Sequence, residues 1–222
     1  MGLLARILRK SKGKQFEGNV AFIGLSYAGK TTILNRLRYD QFEEDTLRTM
    51  GLNVDNFEYK GIKFSAFDLG GQETFRMIWE PYLKTSIAVC FVIDSSSPES
   101  YVESAEVLRS MLRHIPSKAT LLLLANKNDL APTNALAAII TAFNFKELQE
   151  TADLKAINLF YISAKTGDQF SEAFDWLSEV VTDTLKKNDY RRKFEVDDVT
   201  RLKIKQNSKV RKDLIGPGGM RF

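Results

Sequence analysis

The apolar positions of this chain follow two periods in turn, one typical of strands and one typical of helices. Short apolar runs of the kind that form buried strands occur at 19–23, 87–94, 121–124 and 159–162. Helical spacing follows these runs at 32–37, 97–113, 135–143 and 170–186. Residues 52–59 and 62–68 alternate apolar and polar on either side of Lys60 and Gly61, which indicates a hairpin. The whole pattern predicts an α/β fold with a six-stranded, mostly parallel sheet and helices on both faces.

Both ends of the chain depart from this pattern. The apolar side chains of residues 3–10 fall on one face of a helix and the basic ones on the other, so we predict a basic amphipathic helix over 1–16. Apolar periodicity fades after Lys186, which predicts a basic, extended tail over 187–222. The strands and helices between these ends predict one globular domain over 17–186.

Composition narrows the class of protein. The single cysteine, Cys90, lies inside an apolar run, so it is expected in the core, and no disulfide can form within the chain. No apolar run approaches the length of a membrane span and no secretory signal is visible, which favours a cytoplasmic protein.

Residues 1–14 carry five basic side chains and no acidic one, and 186–222 is also basic, although the whole chain has a net charge of only +4. An acidic domain with two basic ends indicates an anionic partner, either a membrane or a nucleic acid.

Residues 24–31, which we call the phosphate loop, match the pattern G-x-x-x-x-G-K-[S/T] between a predicted strand and a predicted helix. Gly24 and Gly29 allow several backbone N–H groups to surround one anion, and the helix N-terminus adds partial positive charge. Lys30 is placed to reach the β- and γ-phosphates, and the Thr31 hydroxyl is placed to bind Mg²⁺. The predicted phosphate-binding residues are Gly24, Leu25, Ser26, Tyr27, Ala28, Gly29, Lys30, Thr31 and Thr32.

A second motif follows the hairpin. Asp68 ends the second hairpin strand, where a carboxylate can serve as a partner for Mg²⁺. The spacing D-x-x-G places the N–H of Gly71 near a terminal phosphate, and Gln72 is then placed to orient an attacking water. Gln72 and Lys30 are therefore the candidate catalytic residues for hydrolysis of that phosphate.

The base is predicted from residues 126–129, Asn-Lys-Asn-Asp, which follow a buried strand. The Asp129 carboxylate can accept hydrogen bonds from guanine N1–H and from the exocyclic amine, and adenine has no such pair of donors. Asn126 would hold the loops together, the stem of Lys127 would cover the base, and 163–165 would supply an N–H for guanine O6. We therefore predict GTP and GDP, with Mg²⁺, as the ligands. The predicted base-binding residues are Asn126, Lys127, Asp129, Ser163, Ala164 and Lys165.

These motifs, in this order and at these spacings, resemble those of the small Ras-like GTPases. Within that group the chain is similar to the ADP-ribosylation factor (Arf) and Arf-like family. The resemblance rests on residues 24–32, 49–54 and 68–73, on Trp79, and on the amphipathic N-terminal helix. It implies a P-loop NTPase fold, the Ras-like G domain, over 17–186. It also implies that Thr49 binds Mg²⁺ and senses the γ-phosphate, and that Leu52, Phe67 and Tyr82 meet effectors.

The resemblance further implies a molecular switch with slow unaided GTP hydrolysis. GTP would order the loops at Thr49 and Gly71, the hairpin would shift, and the N-terminal helix would then bind an anionic membrane through residues 3–10. The expected partners are an exchange factor, a GTPase-activating protein and effectors on the switch and interswitch surface, in regulation of the membrane-trafficking type. Nucleic acid is not expected. The protein would be cytoplasmic and peripherally bound to membranes in its GTP state.

Three departures from the family pattern leave alternatives open. Ser26 stands where the family usually has aspartate, Tyr27 is bulky beside the phosphates, and a basic tail as long as 187–222 is not typical. The alternatives are a GTP-binding interaction subunit that scarcely hydrolyses, a GTPase acting on RNA or ribosomes through the tail, and an ATP-dependent phosphoryl transferase. Acylation of Gly2 is not predicted, because Arg6 stands where the myristoylation motif has Ser or Thr.

Overall fold

The structure is a computed structural model that describes residues 16–40, 42 and 49–186. The predicted helix over 1–16 lies outside these residues except at Phe16, and the predicted tail over 187–222 lies wholly outside them. The chain divides into two compact units, Met1–Thr182 and Asp183–Phe222. Only residues 183–186 of the second unit are described, and they form the last turn of a helix.

Six strands form one sheet. They are β1 (Phe16–Ile23), β2 (Leu52–Tyr59), β3 (Ile62–Leu69), β4 (Ala88–Asp94), β5 (Thr120–Asn126) and β6 (Ala156–Tyr161). The strand order is β2-β3-β1-β4-β5-β6. Only β2 is antiparallel to its neighbour, since every other pair in the sheet is parallel. The predicted six-stranded, mostly parallel fold is therefore confirmed.

The described part of the chain contains seven helices. They are α1 (Lys30–Tyr39), α2 (Glu73–Arg76), α3 (Trp79–Thr85), α4 (Tyr101–Leu112), α5 (Ala135–Ala142), α6 (Phe145–Thr151) and α7 (170–186). Single 3₁₀ turns lie at Pro98–Ser100 and Asn128–Leu130. None of the helices in these residues is long and apolar enough to cross a membrane.

The core lies on both faces of the central strands. Every residue of β5 is buried, as are all residues of β4 before Asp94, which explains why these strands read as unbroken apolar runs. Cys90 is fully buried in β4, as expected, and burial raises the pKa of its thiol. The strands β1, β3, β4, β5 and β6 are parallel, so their carboxyl ends lie at the same edge of the sheet. The loops that follow them therefore lie close together.

The limits of some elements differ from the prediction. β1 begins at Phe16 rather than Asn19, because Phe16 pairs with Ile62 of β3 although Glu17 and Gly18 interrupt the apolar run. The helix predicted over 135–143 is followed at once by α6, which was not predicted. Asn144 separates the two helices in a left-handed conformation, with φ of 45°. The short helices α2 and α3 were not predicted either.

Candidate nucleotide-binding site

The phosphate loop turns tightly between β1 and α1. Gly29 has φ of 94°, and a Cβ atom there would lie 2.3 Å from the Asn126 side chain, so only glycine fits. The Lys30 ammonium donates hydrogen bonds to the carbonyls of Gly24 and Leu25, at 3.1 and 2.9 Å. Lys30 is only 6% exposed, and these bonds hold its charge across the loop. The arrangement suits an anion because backbone N–H groups, a helix N-terminus and an ammonium meet there.

The three residues predicted to hold Mg²⁺ meet beside this loop. The Thr31 hydroxyl donates to Asp68 Oδ2 at 2.7 Å, the Thr49 hydroxyl donates to the same oxygen at 3.1 Å, and the two hydroxyl oxygens are 2.9 Å apart. Asp68 is fully buried, and burial raises the pKa of its carboxyl above the usual value although Thr31, Lys30 and Thr49 oppose that shift. Its second oxygen, Oδ1, is buried and has no hydrogen-bond partner among the described residues.

This set of donors fits a hard divalent cation. One carboxylate and two hydroxyls are oxygen ligands, and Mg²⁺ commonly takes one or two carboxylates together with phosphates and water. The unpartnered Asp68 Oδ1 would gain the electrostatic partner that burial otherwise denies it. Elsewhere in the described ranges, no group of three or more His, Cys, Asp or Glu side chains could hold a metal ion.

The loop after β3 packs directly on the phosphate loop. A Cβ atom at Gly71 would lie 2.4 Å from the backbone of Leu25 and Ser26, so a larger residue would force the two loops apart. The neighbouring Gly70 donates its N–H to the Gly51 carbonyl at 2.8 Å. Its own carbonyl accepts from Nε1 of the buried Trp79 at 3.1 Å. The two loops expected to sense the γ-phosphate, at Thr49 and at Gly71, are thus joined through one glycine.

The residues predicted to bind the base come together at the ends of β5 and β6. Asn126 donates to the Ala28 carbonyl and accepts from the Ala164 N–H, both at 2.9 Å. The Ser163 hydroxyl donates to Asp129 Oδ1 at 2.6 Å. Lys127 has φ of 65° and forms an ion pair with Asp94 Oδ2 at 2.6 Å, which fixes the direction of its side chain.

A cavity of about 340 Å³ lies between these groups. The predicted residues on its wall are Ser26, Tyr27, Gly29, Lys30, Thr31, Thr32, Thr49, Gly71, Asn126, Lys127, Asp129, Ala164 and Lys165. The predicted residues that do not line it are Gly24, Leu25, Ala28, Asp68, Gln72 and Ser163. Gln72 directly follows Gly71 and precedes the first residue of α2. Most of the predicted site is therefore assembled around one cavity.

The wall also includes Phe42 and Leu130, which the sequence analysis did not identify. The Lys165 ammonium lies 5.9 Å from the centre of the Phe42 ring, so the two side chains stand together at the base end. Phe42 is an isolated aromatic residue in a polar, aperiodic stretch, and that contrast was the only available signal. Asp94, the partner of Lys127, was also missed, although its position at the end of a strand resembles that of Asp68.

A model of the ADP-ribosylation factor family matches residues 4–181, which is most of the chain. The chain is a member of the ADP-ribosylation factor family. It is 34% identical over 166 residues to ADP-ribosylation factor-like protein 1 of Drosophila melanogaster, covering 74% of this chain and 89% of that protein. With the protein of the same name in Caenorhabditis elegans it shares 35% identity over 163 residues, covering 73% and 88%.

A solved structure gives the same assignment. The Arl6 BBS3 small GTPase of Trypanosoma brucei, determined with the bound nucleotide analogue GppNp, superposes with a TM-score of 0.65 at 30% identity. The match covers 75% of this chain and 98% of that one. This Arf-family protein therefore has the Ras-like G-domain fold and belongs to the GTP-binding switches.

Proposed function

We propose that this Arf-family protein is a Mg²⁺-dependent GTP switch that hydrolyses GTP slowly and binds anionic membranes in its GTP state. The observation that carries this proposal is the convergence of Thr31, Thr49 and Asp68 within hydrogen-bonding distance. Thr49 belongs to the loop before β2, so a ligand held by this group would link that loop to the phosphate loop. Loss of a γ-phosphate would release the link, which is the event a nucleotide switch requires.

At the phosphate end, the residues of this chain would bind and orient GTP. Lys30 and the loop N–H groups would hold the β- and γ-phosphates, and the Gly71 N–H would meet the γ-phosphate. Mg²⁺, held by Thr31, Thr49 and Asp68, would supply positive charge against the phosphate oxygens. Gln72 would orient the water that attacks the γ-phosphate, so that hydrolysis yields GDP and phosphate.

At the base end, Asp129 would select guanine. The Ser163 hydroxyl already occupies one acceptor position of this carboxylate, at 2.6 Å, and so fixes its direction. The remaining lone pairs would accept from guanine N1–H and from the exocyclic amine. Adenine offers no such donors, so an adenine nucleotide would leave the carboxylate unpaired. Lys127 and Phe42 would enclose the base from the cavity wall.

Unaided hydrolysis should be slow, below about 10⁻³ s⁻¹, as for small GTPases that await an arginine from a partner. A single-turnover assay with labelled GTP tests this directly. Gln72→Leu should reduce the rate further, whereas the same substitution at Gln149, exposed on α6, should leave it unchanged. Equal rates for the wild type and Gln72→Leu would contradict a role for Gln72 in hydrolysis.

Partners would meet the surface formed by β3 and α3 and by the two loops that sense nucleotide. The rings of Phe67 and Tyr82 pack together with centroids 5.0 Å apart. Met50, just before β2, and Met77, between α2 and α3, are 74% and 86% exposed. Exposed apolar side chains on loops that change with nucleotide would suit an effector, an exchange factor or an activating protein.

Membrane recruitment would depend on residues 3–10, whose apolar and basic faces suit a membrane interface. Flotation with anionic vesicles tests it, using full-length protein loaded with GDP or with a non-hydrolysable GTP analogue. We expect binding only with the analogue, and loss of that binding in the double variant Ile7→Ser/Leu8→Ser. The double variant Ser11→Ala/Gln15→Ala is the control and should still bind. Equal binding in both nucleotide states would contradict GTP-dependent recruitment.

A second candidate is a GTP-binding interaction subunit that scarcely hydrolyses. Tyr27 favours it, because this bulky side chain lies on the cavity wall, is 70% exposed and has φ of 64°. A large ring beside the phosphates would obstruct an arginine supplied by a partner. Single-turnover hydrolysis no faster than that of Gln72→Leu, together with tight GTP binding, would establish this alternative.

A further inference from the structure

Arg36 connects the two ends of the nucleotide site. It lies in the last turn of α1, the helix that begins at Lys30 of the phosphate loop. Its Nη1 atom donates to the carbonyls of Ala164 and Lys165, both at 2.8 Å, across more than a hundred residues of sequence. These carbonyls belong to residues 163–167, which we call the base loop. A single guanidinium therefore ties the base loop to the helix that carries the phosphate loop.

The surroundings of Arg36 are shaped to hold this contact. Its guanidinium carbon lies 5.4 Å from the centre of the Phe170 ring, at the start of α7, which is within the range of a cation–π interaction. A Cβ atom at Gly167 would lie 2.6 Å from Arg36 Nη2, so the glycine leaves room for the guanidinium. The planar group is thus held both by a ring and by two carbonyls, a geometry that lysine cannot reproduce.

The base loop in turn positions Asp129. Ser163 Oγ accepts from the N–H groups of Lys165 and Thr166, at 3.1 and 3.0 Å, and donates to Asp129 Oδ1 at 2.6 Å. The conformation of the loop therefore sets where the Ser163 hydroxyl points, and through it where the carboxylate points. Asn126 makes a second connection between the Ala164 N–H and the phosphate loop.

We propose that Arg36 is a positioning residue for base selection, which fixes the base loop so that Ser163 can orient Asp129 toward the exocyclic amine of guanine. This inference rests on the proposed binding of guanine by Asp129. Arg36 itself does not line the cavity, so it would act without touching the nucleotide. Loosening the base loop should weaken the contact with the amine more than it weakens the contacts with the phosphates.

The test compares GDP with IDP, which lacks only the exocyclic amine of the base. The dissociation constants of both are measured for the full-length wild type, Arg36→Ala, Arg36→Lys and the control Arg38→Ala. Arg38 lies on the same helix but pairs with Asp55, at 2.5 Å, and not with the base loop. We expect the preference for GDP over IDP to fall about fivefold in Arg36→Ala, the value of one ordinary hydrogen bond, and to stay unchanged in Arg38→Ala.

The ratio of the two constants separates positioning from stability, because partial unfolding weakens GDP and IDP binding equally. Arg36→Lys keeps the charge but lacks the planar guanidinium that packs on the Phe170 ring, so it should show a reduced preference as well. It carries the test if Arg36→Ala does not fold. An unchanged preference for GDP in the folded variants would overturn the role of Arg36 but not base recognition by Asp129. A wild type with no preference for GDP would overturn base recognition by Asp129, and the inference with it.

Discussion

Asn126 Nδ2 donates to the carbonyl of Ala28 at 2.9 Å, across 98 residues of sequence. This bond joins the segment proposed to read the base to the phosphate loop. The same side chain accepts from the Ala164 N–H at 2.9 Å, so both halves of the amide are used. Asn126 is 2% exposed, so the two backbone groups that it bonds would lose a buried partner if the side chain were removed.

Replacing Asn126 by alanine should therefore destabilise the protein and weaken nucleotide binding together. Two buried backbone groups would lose their partners, at a cost of about 1–3 kcal/mol each. Thermal unfolding with and without excess GDP measures both effects. Asn128→Ala is the matched control, since Asn128 bonds to Tyr161 and Asp168 and not to the phosphate loop. A loss of GDP affinity in Asn128→Ala as large as in Asn126→Ala would contradict this role of Asn126.

Asp129→Asn should change the preferred base from guanine to xanthine. Xanthine carries a carbonyl where guanine has its exocyclic amine, and an asparagine amide can donate to that carbonyl while accepting from N1–H. Competition of XDP and GDP against labelled nucleotide measures the change for each protein. We expect the tighter ligand to be GDP for the wild type and XDP for Asp129→Asn.

The control for that experiment is Asp168→Asn, which removes a carboxylate that bonds Asn128 and does not line the cavity. It should leave the preference for GDP intact. If Asp129→Asn still preferred GDP, another group would have to read the base.

Acid should weaken the attachment of the β2–β3 hairpin to α7. Asp175 Oδ1 accepts from the Tyr59 hydroxyl and pairs with the Lys60 ammonium, both at 2.7 Å. Burial raises the pKa of the Asp175 carboxyl, but these two partners outweigh it and lower the pKa below the usual value. The stabilisation is thus present above a pH of about 4, the unfolded pKa, and is lost as the pH falls further.

Urea unfolding at pH 7 and at steps below pH 4 measures this effect. We expect the free energy of unfolding of the wild type to fall more steeply with acid than that of Asp175→Asn. Asp153→Asn, whose carboxylate accepts from the Ser117 hydroxyl elsewhere on the surface, is the control. Parallel pH curves for the wild type and Asp175→Asn would show that the hairpin contact does not depend on this carboxylate.

The sequence predicted the parts of the site that depend on local backbone geometry. The phosphate loop is such a part, because Gly29 and Lys30 act within one strand–loop–helix unit. Arg36 was not predicted, since its role depends on carbonyls more than a hundred residues away. Phe42 was missed because an aperiodic loop gives no indication of which side chain faces inward.

The same distinction applies to the fold. The spacing of apolar residues predicted the sheet and the hairpin, because a strand buried on one face alternates apolar and polar residues and a strand buried on both faces is apolar throughout. The start of β1 at Phe16 depends on pairing with Ile62, and pairing between strands leaves no mark on a single segment. The break at Asn144 depends on one residue in a left-handed conformation, which the apolar spacing of α5 does not indicate.

In the proposed switch, exchange of GDP for GTP rearranges the loops at Thr49 and Gly71. Trp79 reports on it directly, because it is fully buried and its Nε1 donates to Gly70, whose N–H donates to Gly51. Either loop movement would change the surroundings of this indole. Trp176→Phe removes the only other tryptophan and leaves Trp79 as the sole emitter.

The measurement is the tryptophan emission of full-length Trp176→Phe as a non-hydrolysable GTP analogue replaces GDP in the presence of Mg²⁺. Chromatography of the extracted nucleotide confirms loading in each state. We expect a clear change in emission intensity with the analogue, and a smaller change when Thr49→Ala is added to Trp176→Phe, because only the loop at Gly71 can then respond to the γ-phosphate. Identical emission in the two fully loaded states of Trp176→Phe would contradict the switch.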